Sequence, residues 1–130
     1  LIALHTRTLD ALAGYDTMAE KAQPEFRPVV EEFRALHGRH AAVLADILAG
    51  LGHAPESDGS FMGTVNRSVV TMRSWVDDID AGVLGAIHNG ENNVLRAFDD
   101  ALEQTADPTI RANVLPMREA LAALLARHPT

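Results

Sequence analysis

Two short proline-bearing breaks, "QPEFRP" at 23–28 and "TADPT" at 105–109, do more than any other feature to limit what this chain can fold into. Proline lacks a backbone donor and clashes inside a helix, so each break forces a turn followed by a fresh helix start. Before the first break, Leu1, Leu4, Thr8, Leu12, Tyr15, Met18 or Ala19, and Ala22 recur at helical spacing and predict a helix over about residues 1–22. After it, Val29, Phe33, His37, His40, Leu44, Ile47 and Leu51 predict a second helix, ended by Gly52 and Pro55. A third, from about 79 to 104, runs along Leu84, Ile87 or His88, Glu91, Val94 or Leu95, Phe98 and Leu102. The last starts with Asp107 as N-cap and Pro108 in the first turn, and follows Ile110, Val114, Met117, Leu121 and Leu124. Pro116 lies inside it and is expected to kink or locally break its first turns.

The interval between the second and third helices is much longer, about 27 residues. Within it "SFMGTVNRSVVTMRSWVDDID" predicts a short helix over about 60–76, capped by Ser60, with Val65, Val69, Met72 and Trp75 or Val76 on its apolar side. Short breaks make antiparallel hairpins of helices one and two and of helices three and four. Two hairpins joined by one long crossover give an all-α, ferritin-like four-helix bundle with a short extra helix in the crossover; an up-down bundle with a decorated loop is the alternative. The whole chain, 1–130, reads as a single domain.

Composition narrows the function classes. A net charge of -7 argues against nucleic acid and anionic membranes as partners. There is no cysteine, which removes disulfides and thiolate metal sites. No apolar run reaches the length of about 18 residues that spans a bilayer. The chain starts at Leu1 rather than Met, so the N-terminus is read as incomplete; nothing visible resembles a signal peptide, and a cytoplasmic location is expected. Phe61, Met62, Val69 and Trp75 give the crossover helix more apolar surface than one short helix buries on its own bundle, so a homodimer is expected.

The apolar stripes also carry polar residues. His37 and His40, in "HGRH", stand one turn apart in register with Phe33 and Leu44, and His88 and Glu91 repeat that spacing on the third helix. Tyr15 occupies the stripe of the first helix. The register predicts that His37 and His40 point inward, close to Glu91 and near Tyr15 and His88. Buried polar groups cost a few kcal/mol unless paired, so such a cluster requires either internal hydrogen bonds or a ligand. Imidazole and carboxylate at i, i+3 suit a first-row divalent ion, and zinc, iron or manganese held by candidates His37, His40, His88, Glu91 and Tyr15 is one reading. A zinc held by His, His and Glu would keep a water in its fourth position. A di-metal centre needs several bridging carboxylates, and the fourth helix offers only Asn113, Met117, Leu121 and Leu124; Glu119, about 200° from Met117, falls on its outer face. The other reading is a hydrogen-bonded network in which Glu91 accepts from histidine and Tyr15, with Gly38 and Gly90 permitting close helix approach. Histidine phosphotransfer would need a solvent-facing imidazole, against the register of "HGRH". His5, His53 and His128, near ends or loops, read as surface residues. No phosphate loop, nucleophile elbow or HExxH motif is present, and no catalytic residue is assigned.

Three stretches resemble a known family. "LGHAPESDGSFMGTVNRSVV" is similar to the loop and crossover helix, and "NGENNVLRAFDDALE" to the third main helix, of the bacterial ferritin-like proteins called domain of unknown function 2383, distant relatives of rubrerythrins; "DPTIRANV" is similar to the start of their last helix. The resemblance implies a ferritin-like bundle, often dimeric, without an established activity. It implies an inward Glu near Tyr15, another near His37, a third at Glu91 and a late His where Leu125 stands. Only Glu91 keeps the pattern, which makes ferroxidase chemistry unexpected. Two functions follow as expectations: a bundle with a degenerate His/Glu/Tyr cluster binding one divalent ion, or a non-catalytic structural or interaction bundle without metal.

Overall fold

The computed structural model describes residues 1–53 and 81–130. Four helices make up these segments: α1 (Ile2–Lys21), α2 (Arg27–Gly50), α3 (Leu84–Gln104), preceded by a single 3-10 turn at Ala81–Val83, and α4 (Pro108–Ala126). The crossover helix expected at 60–76, with Phe61, Met62, Val69 and Trp75, lies outside the described residues, as does Ile79.

Local chemistry fixes the helix ends. α2 stops on a Schellman motif: the His53 amide bonds the Leu48 carbonyl at 2.9 Å, the Gly52 amide bonds that of Ala49 at 3.0 Å, and Gly52 takes φ 85°, where glycine has no Cβ penalty. α4 begins as expected, with the Asp107 carboxylate accepting from the amides of Thr109 (2.8 Å) and Ile110 (3.3 Å) and Pro108 in the first turn. Pro116 does not break α4, which is helical through to Ala126; here tertiary packing outweighs the lost hydrogen bond, since Val114, Met117 and Leu121 around it are all buried.

The stripes are close to those expected, with shifts at their ends. On α2 the buried line starts at Val30 and finishes at Leu48; Val29 and Ile47 are half-buried and Leu51 is exposed. A helix drifts by about 20° per heptad against a strict seven-residue repeat, so a stripe over twenty residues cannot hold one register. Leu36 and Ala41 join the core beside Phe33, His37, His40 and Leu44. The centre is Phe33, Leu44, Phe98 and Leu121, each fully buried.

α1 packs on α2 and on α3, α4 packs on α3 and on α2, and neither α2 with α3 nor α1 with α4 makes a close backbone approach. The four therefore form a square in which α2 and α3 sit on one diagonal. Level by level, Tyr15 of α1 meets Glu91 of α3 while Leu1 and Leu4 lie beside Ala97 and Ala101, so α1 and α3 are antiparallel. α1 and α2 are antiparallel too, joined by residues 22–26. α2 and α3 then run in the same direction, and the connection between Gly50 and Leu84 begins and ends at opposite ends of the bundle. Surface ion pairs Arg34–Asp16, Arg118–Asp99 and Arg127–Glu32 staple α1 to α2, α3 to α4 and α4 to α2; each contributes little in water.

Candidate functional site

The diagonal between α2 and α3 is bridged by one polar cluster. Phe33 and His37 stand one turn apart on α2, and the Tyr15 ring from α1 slots between them, stacked on Phe33 (centroids 5.5 Å, 8° between planes) and on His37 (5.6 Å, 16°). That stacking aims the Tyr15 hydroxyl at α3, where it donates to Glu91 Oε1 at 2.7 Å. His37 Nε2 faces the same carboxylate, 2.9 Å from Oε1 and 3.1 Å from Oε2. With the proton on Nε2, His37 donates to Glu91, and the carboxylate accepts from two helices at once. Tyr15, His37 and Glu91 are 4%, 0% and 1% exposed, so water does not compete. Burial first, then the adjacent Glu91 charge and the hydrogen bond to it, push the Tyr15 phenol well above its ordinary range, and it stays neutral.

The other two candidates are placed elsewhere. His40 is buried, but no hydrogen bond joins it to Glu91; its ring meets the edge of Phe98 at 5.9 Å and 82°, and its Nδ1 has no partner among the described residues. Burial, then the neighbouring His37 and Arg39 charges, lower its pKa from 6.5 to about 4. His88 is half-buried and donates from Nε2 to the backbone carbonyl of His128 at 2.7 Å, at the far end of α4. Of the four expected partners of Glu91, Tyr15 and His37 hydrogen-bond to it, while the contacts described for His40 and His88 are with Phe98 and the His128 carbonyl. An i, i+3 step rotates a side chain by about 60° and carries it about 4.5 Å along the axis, enough for one member of each pair to leave the diagonal.

Three further positions differ from expectation. His5 is buried rather than on the surface, and burial lowers its pKa. His128 is half-buried against Phe33 and 3.4 Å from Glu32; only His53 is exposed as anticipated. Gly38 and Gly90 do not mediate helix approach, since a Cβ built on either meets nothing within 4 Å. Glu119 is exposed, and α4 presents only apolar side chains to the core, with Leu125 buried. Phe33 was legible only as core; its role in holding the Tyr15 ring is not visible from spacing alone.

The donor chemistry decides how the cluster treats a cation. Among the described residues no three or more His, Asp or Glu side chains are grouped to hold a metal ion. His37 and Glu91 supply the two strong donors, and Tyr15 presents a neutral phenol already spent on Glu91. Zinc sites take three or four protein ligands, and His37 and Glu91 supply two.

A family model matches residues 1–104 under the description domain of unknown function (DUF2383). The chain belongs to that family. The match covers α1 to α3 with the connection between them and stops before α4. No curated protein and no solved structure matches this DUF2383 chain. Among the described residues no helix is long and apolar enough to cross a membrane.

Proposed function

We propose that this DUF2383 chain is a ferritin-like bundle with a non-catalytic, structural or interaction role, in which Tyr15, His37 and Glu91 form a metal-free polar lock. The observation that carries this reading is the convergence of two donors on one buried carboxylate: Glu91 accepts from Tyr15 at 2.7 Å and faces His37 at 2.9 Å, across a diagonal on which the backbones do not meet. His37 Nδ1 has no hydrogen-bond partner among the described residues, so the tie is made at Glu91 alone; a buried carboxylate with donors from two helices favours one arrangement of those helices, because any other leaves it unpaired. Homodimerisation belongs to the same proposal and is read by sedimentation; a 14.0 kDa species alone at high concentration counts against it.

The competing function is one divalent ion held at His37 and Glu91, with Tyr15, His40 and His88 as further candidates. It would require Tyr15 to give up its bond to Glu91 and His40 to leave Phe98. Metal analysis after expression in medium supplemented with iron, manganese and zinc separates the two. The lock predicts sub-stoichiometric metal and a melting temperature indifferent to chelator; a stoichiometric ion lost on His37→Ala overturns it.

A further inference from the structure

The α1–α3 face carries a groove with a chemistry of its own. Two cavities lie along it, of about 210 Å³ and about 500 Å³, and they adjoin at Arg7 and Asn93, which line both. The smaller is walled by Ala11, Gly14 and Met18 of α1 and by Ile87, Gly90 and Val94 of α3. Glu91 lies beneath it, 1% exposed and with its oxygens turned to Tyr15 and His37, and Asp10 is part of its lining, with Oδ1 buried. The larger cavity brings Arg7 and Arg96 to opposite walls, with Asp100 on the α3 wall toward the Leu1 end.

Two features of this cleft are unexplained by folding. A glycine inside a helix is disfavoured against alanine, yet Gly14 and Gly90 line the same cavity from opposite walls, and a Cβ on either would meet nothing within 4 Å. Nor is packing the reason for the arginines. Arg34, Arg118 and Arg127 sit in ion pairs, and Arg27 and Arg111 donate to backbone carbonyls. In a chain with 18 acidic and 11 basic residues, Arg7 and Arg96 pair with no carboxylate among the described residues, Arg96 donating to the side-chain oxygen Oδ1 of Asn93 instead. Arg39 shares that condition but stands on the exposed face of α2.

We propose that the α1–α3 cleft binds a single-chain amphiphile with a carboxylate head, the head between Arg7 and Arg96 and the alkyl tail running past Gly14 and Gly90 toward Met18. Guanidinium forks match a carboxylate geometrically. From Arg7 to Met18 the helix rises about 16 Å, the reach of a medium-length alkyl chain, and beyond Asp10 and Asn93 the walls of that stretch carry Ala11, Gly14, Met18, Ile87, Gly90 and Val94. The smaller cavity is mainly apolar and the larger, with Arg7, Asn93, Arg96, Asp100 and Gln104 in its lining, mainly polar; apolar walls with a few placed polar groups are the usual form of a small-molecule site. This inference goes beyond the polar lock and does not depend on it.

The test is a titration of the full chain with dodecanoate, below its micelle-forming concentration, followed by backbone amide resonances. Saturable shifts are expected along α1 and α3, at Arg7, Gly14, Gly90 and Ala97, and none with dodecyltrimethylammonium. Arg7→Gln and Arg96→Gln, both at exposed positions and checked for fold by circular dichroism, should each weaken binding about tenfold, the loss of one charge-assisted contact. Gly14→Leu should weaken dodecanoate more than hexanoate, and Gly38→Ala, away from the cleft, should leave both unchanged. Absence of saturable dodecanoate shifts overturns the proposal, as does equal binding of the cationic amphiphile, or unchanged affinity in the folded double arginine variant.

Discussion

Glu91 and His40 are both buried, both titratable and both near the middle of the bundle, but their surroundings differ. Glu91 meets a phenol from α1 and an imidazole from α2, at 2.7 and 2.9 Å. His40 meets the edge of Phe98, and Nδ1 of both His37 and His40 lacks a partner among the described residues, so the difference lies in the carboxylate that His37 Nε2 reaches. The first region resolves a buried charge by giving it donors; the second resolves a buried base by keeping it neutral, which is what a pKa lowered to about 4 means. The same residue type on the same helix, one turn apart, can therefore be a structural tie or a tolerated guest, and the difference is whether the diagonal places an acceptor opposite.

The largest expected effect is at the tie. Glu91→Ala strands the Tyr15 hydroxyl and the His37 Nε2–H in the core, and should cost about 3 kcal/mol or more in urea unfolding. Tyr15→Phe keeps both ring stacks and removes one bond to Glu91, so a loss of about 1–2 kcal/mol is expected. If it cost nothing, the hydroxyl would not be holding the carboxylate, and the contrast with His40 would collapse.

His40 itself is probed by pH. Its folded pKa, about 4, lies below its ordinary 6.5, so between these values the unfolded chain binds more protons than the folded one. Stability is then full above pH 6.5 and falls as the pH drops toward 4. His5, lowered by burial, acts in the same direction. His40→Leu should flatten part of that acid-side loss without weakening the protein at pH 7.5; a variant as costly as Glu91→Ala at neutral pH would place an unseen partner on His40. The smallest effect belongs to Gly38→Ala. A Cβ there has open space and an ordinary helical backbone, so a gain of up to about 1 kcal/mol in melting or urea curves is expected from helix propensity alone.

Periodicity was enough to read the four helices, the Asp107 cap, the Gly52 stop and the inward placement of His37, Glu91 and Tyr15, because burial follows a stripe and caps are local chemistry. It was not enough to say which polar residues would meet. His37 and His40 occupy one stripe, as do Glu91 and His88, and only the relative height and rotation of α2 and α3 choose between them; those depend on all the core side chains together. His5 and His128 show the same limit from the other side. Proximity to a chain end reads as surface, while docking against the bundle buries the first and half-buries the second. Pro116 was read by its local rule, which the packing of α4 overrode.

The polar lock also bears on how the halves of this molecule recognise each other. Both donors, Tyr15 and His37, belong to the α1–α2 hairpin, and the acceptor, Glu91, belongs to the α3–α4 hairpin. Two α1–α2 hairpins pressed together would bury hydroxyl and imidazole without a carboxylate, and two α3–α4 hairpins would bury carboxylate against carboxylate. Each hairpin is thus mismatched to a copy of itself and matched to its counterpart, which discriminates against the wrong pairing by making it costly. Severed in the connection and expressed as separate pieces, the two should seek each other rather than their own kind, and Glu91→Ala should erase that preference.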